Sequence, residues 1–164
     1  MSQTAAIDIR RADPASSEIA PLLEASQGYG AAQTTAESDH TFGVAELSQP
    51  GVCFFAAYQS DIPIGCGAIK TLRDGSAEVK SVFVSPQARG QGLAHHMMDY
   101  LAKVARTEGF TALVLETGSP LCPGYDAARS LYERLGYSYC APFEGYKEDP
   151  LSVFMHLPLM PRLP

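Results

Sequence analysis

The sequence predicts a mixed α/β fold: a central, mostly antiparallel sheet of about six or seven strands, flanked by about four helices. Three strand-like apolar runs follow each other closely at 52–58, 62–72 and 77–84, which favours an antiparallel meander. Apolar residues then recur at helical spacing from 92 to 108. Strand-like runs and a second helical pattern alternate after that helix, which adds a helical crossover to the sheet.

The first half of the chain opens with a predicted strand at 5–11. Asp13-Pro14 predicts a helix start, because aspartate caps helices and proline suits the first helical position. Gly28-Tyr29-Gly30 predicts the end of that helix, and a second short helix is expected at 36–47. Asp74-Gly75 predicts the turn before the last run of the meander, since both residues tolerate positive φ.

The second half alternates helices and strands, and Gly109 and Gly136 mark two helix ends. The expected elements are, in order, a helix at 92–108, a strand at 111–116, a helix at 126–135 and strands at 137–140 and 152–157. The sequence contains no repeat, linker or low-complexity segment. Residues 1–164 are therefore predicted to form a single domain.

The composition indicates which classes of protein this chain can belong to. The 164 residues are 46 % hydrophobic and 18 % charged, which is typical of a globular chain. The net charge of −6 argues against a nucleic-acid binder. No apolar run has the length of a membrane span or a signal-peptide core, so we expect no membrane contact and a cytoplasmic location. The four cysteines are widely spaced without a CxxC pair, which predicts reduced structural thiols and no metal site.

The most informative stretch is RGQGLA at 89–94, where a predicted strand ends and a helix begins. Glycines let a ligand approach the backbone, and a helix start offers unpaired amides and a positive dipole end to phosphate oxygens. The Gly-Lys-Ser/Thr of a Walker loop is absent, and His95 stands where a dinucleotide fingerprint needs its last glycine. A plain helix start with a tight turn stays open as the alternative.

Residues 89–94 match the R/Q-x-x-G-x-G/A signature, and the chain resembles the GNAT superfamily of N-acetyltransferases in two further motifs. AEVKSVFV at 77–84 is similar to the strand before the signature, and ARSLYERLGY at 128–137 to the family's A-x-x-L-Y-x-x-x-G-F/Y helix. The order of elements agrees from about residue 5 to residue 158. The closing stretch at 142–155 is similar to one branch of small bacterial GNAT proteins.

The resemblance implies that the chain uses acetyl-CoA and no metal. The pyrophosphate would lie on the amides of Gly90, Gln91, Gly92, Leu93 and Ala94. Arg89 would add positive charge or pair with a carboxylate instead. The main chain of Val82, Phe83 and Val84 would pair with the pantetheine arm as an added strand does. An amide near Val82 or Phe83 would polarise the acetyl carbonyl.

The resemblance also implies two catalytic residues. Tyr132 occupies the position of a general acid for the departing thiolate, with a core tyrosine as the alternative. Glu78 is the candidate base for the acceptor ammonium, directly or through water, with a solvated Glu78–Lys80 pair as the alternative. Strand alternation predicts that Glu78, Lys80, Val82 and Val84 share one face.

The acceptor site is less well marked. Tyr29 and His40 fall where the family places its acceptor loop, although a plain surface role suits either. Tyr125 stands where many members have Asn or Gln, and the loop at 119–124 is longer than usual for the branch. Both differences from the family pattern affect the contact expected between this region and the arm of acetyl-CoA.

These expectations describe an enzyme that transfers acetyl directly from acetyl-CoA to the primary amine of a small molecule. Two alternatives stay open, namely a non-catalytic acyl-CoA-binding sensor or regulatory module, and an acetyltransferase for protein or peptide amines. The chain's acidic balance would attract basic peptides. The segment at 142–164 is a candidate for exchange or edge pairing in a homodimer.

Overall fold

The computed structural model describes residues 5–33, 35 and 42–160, and these form a seven-stranded sheet with four α-helices. The strand order is β1-β2-β3-β4-β5-β7-β6, so β1 and β6 are the edges. The strands are β1 (Ile7–Arg11), β2 (Val52–Gln59), β3 (Ile62–Thr71), β4 (Ala77–Val84), β5 (Ala112–Gly118), β6 (Ser138–Cys140) and β7 (Ser152–Pro158). The helices are α1 (Ala20–Gln33), α2 (Val44–Leu47), α3 (Leu93–Glu108) and α4 (Asp126–Arg134). The predicted fold class is confirmed.

Strands β1 to β4 form the expected antiparallel meander. Ser60 and Asp61 both take positive φ, 51° and 62°, in the two-residue turn between β2 and β3. The next turn differs from its prediction, because only Gly75 adopts positive φ, at +88°. The Asp74 carboxylate instead accepts hydrogen bonds from the amide and hydroxyl of Ser76, at 3.0 and 2.5 Å, and thereby closes a longer loop.

Helix α1 begins later and ends later than predicted. The Asp13 carboxylate accepts a hydrogen bond from the Ala15 amide at 2.8 Å, and residues 14–19 form turns before the helix starts at Ala20. The helix then continues through residues 28–30, where each interior glycine costs about 1 kcal/mol relative to alanine. Burial of Leu22 and Leu23 against the sheet offsets that cost, because tertiary packing overrides local propensity.

The predicted helix at 36–47 is present as α2 at Val44–Leu47, while residues 36–41 lie outside the described part of the chain. The Gly43 amide donates a 3.0 Å hydrogen bond to the Glu46 carboxylate, which satisfies a free donor at the helix start. Leu47 anchors this short helix in the core on the same face of the sheet as α1.

The sheet separates two apolar layers. One lies against α3 and α4, and the other lies under α1 and α2. Helix α3 buries Leu93, Met97 and Leu101, and a Cβ at Gly67 would come within 2.9 Å of Met97, so glycine lets the helix approach β3. Within the described ranges no helix is both long and apolar enough to cross a membrane. All four cysteines are free thiols.

A bulge at Ser81 changes which face of β4 the later residues occupy. One extra residue of β4 enters the β3–β4 register there, and Ser81 has a φ of +56°. Val82 and Val84 therefore pack on the α3 layer, whereas Lys80 faces the α1 layer. The prediction that these residues and Glu78 share one face is wrong, because a bulge inverts the alternation of side chains.

Candidate active site

Strands β4 and β5 separate after a short parallel contact. Their register contains only Ala77 with Leu113 and Glu78 with Val114. Beyond these pairs the β5-facing edge of β4 has no neighbouring strand, so its main-chain groups are open to a ligand. A cavity of about 380 Å³ occupies the gap. Both strands, α1, α4 and the loop before α4 contribute to its wall.

Helix α3 starts beside this cavity with two glycines in the left-handed region, at φ +83° for Gly90 and +74° for Gly92. No side chain caps the helix at Gly92, and a Cβ added at either glycine meets no described atom within 4 Å. The first-turn amides therefore lack a side-chain partner at the positive end of the helix dipole. This arrangement suits a phosphate group.

Arg89 lines the cavity next to these glycines. Its guanidinium lies 5.6 Å from the ring centre of Tyr29 and 5.8 Å from that of Phe83. No carboxylate of the described residues forms an ion pair with it. The alternative prediction of a carboxylate partner is thus not seen there, and the positive charge stays at the mouth of the cavity.

Tyr132 projects from α4 into the cavity wall and also belongs to the α3-side core. The core position expected of a structural tyrosine is therefore present, and the cavity position leaves the general-acid role a prediction. Its ring centre lies 5.9 Å from that of Tyr137. Burial, with a smaller contribution from the charge of Glu116, raises the pKa of Tyr132 to about 12. A tyrosine phenol is protonated near neutral pH in any case, and the raised pKa extends that state to more alkaline solution.

Arg129 joins α4 to the end of β5 through hydrogen bonds. This role could not be predicted from the sequence. The buried guanidinium donates hydrogen bonds to the carbonyl oxygens of Gly118 and Ser119, at 2.7 and 2.9 Å, and pairs with the Asp126 carboxylate. Tyr125, rather than Asp126, is the N-cap residue. Because these bonds set where α4 lies, they also position Tyr132 over the gap.

Three polar groups, the Glu78–Lys80–Tyr146 cluster, lie on the other side of the sheet. The Tyr146 hydroxyl donates to Oε2 of Glu78 at 2.6 Å and accepts from Nζ of Lys80 at 3.0 Å. Nζ of Lys80 lies 3.6 Å from Glu78 Oε2. Glu78 and Lys80 are only 2 % and 6 % exposed, so their predicted surface pairing is instead a buried one. Lys80 lines the cavity, and Glu78 does not.

Burial governs the electrostatics of the cluster. Loss of solvent lowers the pKa of Lys80, and the charges of Glu78 and Glu116 oppose that change. Burial raises the pKa of Tyr146, and the Glu78 carboxylate raises it further. Tyr146 lies 68 positions from Glu78, and no sequence pattern could have linked the two.

Glu116 is a second site residue that sequence reasoning missed. It stands on β5 in the cavity wall, and its Oε1 accepts a 2.8 Å hydrogen bond from the hydroxyl of Ser152. Its charge contributes to the raised pKa values of both Tyr132 and Tyr146. A carboxylate inside an otherwise apolar predicted strand was the signal that could have revealed it.

Tyr29 and Tyr125 lie next to each other in the cavity wall. The Tyr29 hydroxyl donates to the carbonyl oxygen of Gly124, and the two tyrosine rings meet edge to face at 5.8 Å. A Cβ at Gly118 would overlap the Tyr125 ring, so glycine there gives this large residue its place. His40, the other predicted acceptor-site residue, lies outside the described residues.

The structure brings most of the predicted site residues to one place. Those that line the cavity are Tyr29, Val82, Phe83, Val84, Arg89, Ala94 and Tyr132. Gly90, Gln91, Gly92 and Leu93 lie just beyond it, at the start of α3. Glu78 does not line the cavity, and its Oε2 lies 3.6 Å from Nζ of Lys80, which does.

Comparison with known proteins assigns the family. The model of the Acetyltransferase (GNAT) family matches residues 19–137, a range that holds β4, the α3 glycines and Tyr132. The chain belongs to the GNAT family. GNAT relatives include the uncharacterized N-acetyltransferase YsnE of Bacillus subtilis, 40 % identical over 73 % of this chain and 78 % of YsnE. The IAA acetyltransferase of Azospirillum brasilense is 36 % identical over 93 % of this chain and 98 % of its own length.

Solved structures agree with the GNAT assignment. A candidate acyl-CoA N-acyltransferase from Klebsiella pneumoniae has a TM-score of 0.75 and 33 % identity, covering 94 % of this chain and 98 % of that one. The PaiA N-acetyltransferase of Thermoplasma acidophilum, solved with coenzyme A, shares the fold at a TM-score of 0.68 and 15 % identity, covering 92 % of this chain and 98 % of that one. The GNAT fold uses acetyl-CoA, and the family and its named relatives support an acetyltransferase enzyme rather than a non-catalytic module.

Proposed function

We propose that this GNAT protein transfers an acetyl group directly from acetyl-CoA to the primary amine of a small molecule. One observation carries the proposal: a single cavity runs from Arg89 and Ala94, at the start of α3, to Tyr132 and Lys80 in the gap between β4 and β5. The cavity thereby connects Arg89 and Ala94 beside the α3 start, the unpaired edge of β4, the Tyr132 phenol and Lys80, the one member of the charged cluster that lines it.

The residues present fit acetyl-CoA, which supplies the acetyl group as a thioester. The amides of Gly90, Gln91, Gly92, Leu93 and Ala94 would hold its pyrophosphate. The open edge of β4 at Val82, Phe83 and Val84 would receive the pantetheine arm. Ser81, whose positive φ marks the β4 bulge, also lines the cavity.

Tyr132 gives a proton to the departing sulfur. A thiol has a pKa of about 8.5, so its thiolate is a poor leaving group near neutral pH unless it is protonated. The phenol of Tyr132 carries its proton near neutral pH, as tyrosine does generally, and it lines the cavity. The bonds from Arg129 to the end of β5 hold the helix that carries it.

Glu78 takes up the proton that the acceptor ammonium must lose. An alkyl ammonium has a pKa near 10.4, so only a small fraction of such an amine is nucleophilic at neutral pH. Glu78 is buried next to Lys80, which lines the cavity, and the Tyr146 hydroxyl already donates to it.

The hydrogen bond between Tyr29 and Gly124 favours a small acceptor over a polypeptide. The bond from Tyr29 to Gly124 joins α1 to the loop before α4 across the cavity. A peptide would need a groove open along its length, and this bond interrupts one.

A thiol-release screen tests the proposal. Purified protein is mixed with acetyl-CoA and with amino acids, polyamines, aminoglycosides or short peptides, and free CoA thiol and acetylated product are measured. We expect acetyl-CoA to raise the melting temperature and a small amine to release thiol. Release with peptides alone would contradict the small acceptor, and no stabilisation by millimolar acetyl-CoA would contradict the whole proposal.

A further inference from the structure

The Glu78–Lys80–Tyr146 cluster forms a line of donors and acceptors that ends at the cavity. Lys80 is the member that lines the cavity, and neither Tyr146 nor Glu78 does. The Tyr146 hydroxyl bridges them, with 3.0 Å to Nζ of Lys80 and 2.6 Å to Oε2 of Glu78. The direct distance between the two charged groups is longer, at 3.6 Å. The bridge is therefore the better path for a proton.

We infer that Lys80 is the residue that takes the proton from the acceptor ammonium, and that Tyr146 is a positioning residue that relays it to Glu78. This inference rests on the proposed acetyl transfer and deepens it. It gives Glu78, which does not line the cavity, a route to the acceptor's proton through Lys80, which does, and it explains why a lysine is buried beside the gap.

The proton movements balance without a further reactant. An N–H bond of the Lys80 ammonium breaks as its proton passes to the Tyr146 oxygen, and the Tyr146 O–H proton passes to Oε2 of Glu78. Lys80 is then a neutral amine, Tyr146 is again a neutral phenol, and Glu78 is a carboxylic acid. The Lys80 lone pair accepts a proton from the acceptor ammonium, which becomes a nucleophilic amine.

The surroundings of Lys80 suit this role. It faces Glu78 on its own strand, Lys70 on β3, Glu116 on β5 and the Tyr146 hydroxyl, with its Nζ 4.2 Å from the ring centre of Phe42. Burial and the like charge of Lys70 favour the neutral amine, whereas Glu78 and Glu116 favour the ammonium. Burial is the largest of these influences and lowers the pKa of Lys80, which favours the neutral amine.

Tyr146 is held in place independently of the two charged residues. Its amide donates to the carbonyl oxygen of Phe143 at 2.9 Å, in a turn where Gly145 has a φ of +85°. Its ring packs edge-on against Phe143 and Phe154, with centres 5.0 and 5.3 Å away. Removal of the hydroxyl alone should therefore leave the ring where it is.

The test compares Lys80→Arg and Tyr146→Phe with the unchanged chain. The kcat and KM for the alkylamine that reacts fastest in the thiol-release screen are measured from about pH 6 to about pH 10. Arginine keeps the charge but cannot give up its proton. We expect each variant to lose about 10²-fold in kcat near neutral pH, and the loss to shrink as rising pH deprotonates the amine in solution.

Tyr139→Phe is the matched control. It also removes a tyrosine hydroxyl that donates to a carboxylate, that of Glu133, but it lies on the exposed edge strand away from the cavity. It should keep the unchanged pH profile. Stabilisation by acetyl-CoA checks that each variant is folded and binds the donor.

Two results would overturn the inference while leaving the proposed function intact. One is an unchanged kcat near neutral pH in either variant, and the other is a loss of the same size at every pH, which a merely structural role would produce. If the unchanged chain releases no thiol with any amine, the proposed function itself is overturned and the inference falls with it.

Discussion

The hydroxyl of Tyr146 donates a 2.6 Å hydrogen bond to the carboxylate of Glu78, across 68 positions of the chain. Glu78 belongs to the last residue pair that joins β4 to β5, and Tyr146 lies in the loop between β6 and β7. The bond ties that loop to the point where the two central strands separate. The C-terminal segment therefore contacts the central strands where they separate, and does more than complete the sheet.

Tyr132→Phe should lower kcat by about 10²-fold while leaving acetyl-CoA binding in place, because it removes the proton donor and keeps the ring. Thiol release under saturating acceptor gives the rate, and thermal stabilisation by acetyl-CoA gives the binding. Tyr137→Phe is the control, since that buried hydroxyl has no partner among the described residues and does not line the cavity. An unchanged kcat would remove Tyr132 from the mechanism.

Tyr132 should also make the fold sensitive to alkali. Its pKa is about 12 in the folded chain, above the ordinary 10.0, so the unfolded chain loses this proton first. The contribution is fully present below pH 10 and is lost as the pH rises toward 12, at up to about 1.4 kcal/mol per pH unit. Urea unfolding should show a shallower alkaline decline in Tyr132→Phe. Parallel declines would contradict the burial argument.

Gly92→Ala should weaken acetyl-CoA binding beyond its effect on stability. Gly92 at the start of α3 and Gly109 at its end have φ of +74° and +86°, and a Cβ at either one meets nothing within 4 Å. Alanine should cost about 1–2 kcal/mol at each position, from backbone strain. Only Gly92→Ala places a methyl group beside the proposed pyrophosphate site. Calorimetry with and without acetyl-CoA separates the two effects, and equal ligand stabilisation would count against the site.

Arg129→Lys should destabilise the fold by about 2 kcal/mol, because lysine cannot reproduce the fork that holds both carbonyl oxygens at the end of β5. It should lower kcat as well, since Tyr132 is carried by the same helix. Arg134→Lys, an exposed change in the last turn of α4, provides the comparison. If urea unfolding gives equal stabilities for the two variants, Arg129 does not anchor the helix.

The sequence predicted the sheet, the helix α3 and the glycine-rich helix start because each depends on local patterns. Apolar runs, helical spacing and glycines at helix ends act over a few residues, and the structure has Ala77–Val84 and Leu93–Glu108 as strand and helix. The boundaries of α1 could not be predicted in this way, because they depend on contacts with distant residues. Its glycines are tolerated because Leu22 and Leu23 find distant partners in the core.

In the candidate site, too, some features follow from local sequence motifs and others only from the tertiary structure. By itself the sequence determined the family motifs at 89–94 and 128–137, and with them the α3 start and Tyr132 as parts of one site. Only the tertiary structure decided which polar groups meet in the gap. The bulge at Ser81 turns Lys80 away from the face of Val82, and the β6–β7 loop brings Tyr146 to it. Such contacts depend on strand register and chain reversal over tens of residues, which no local pattern encodes.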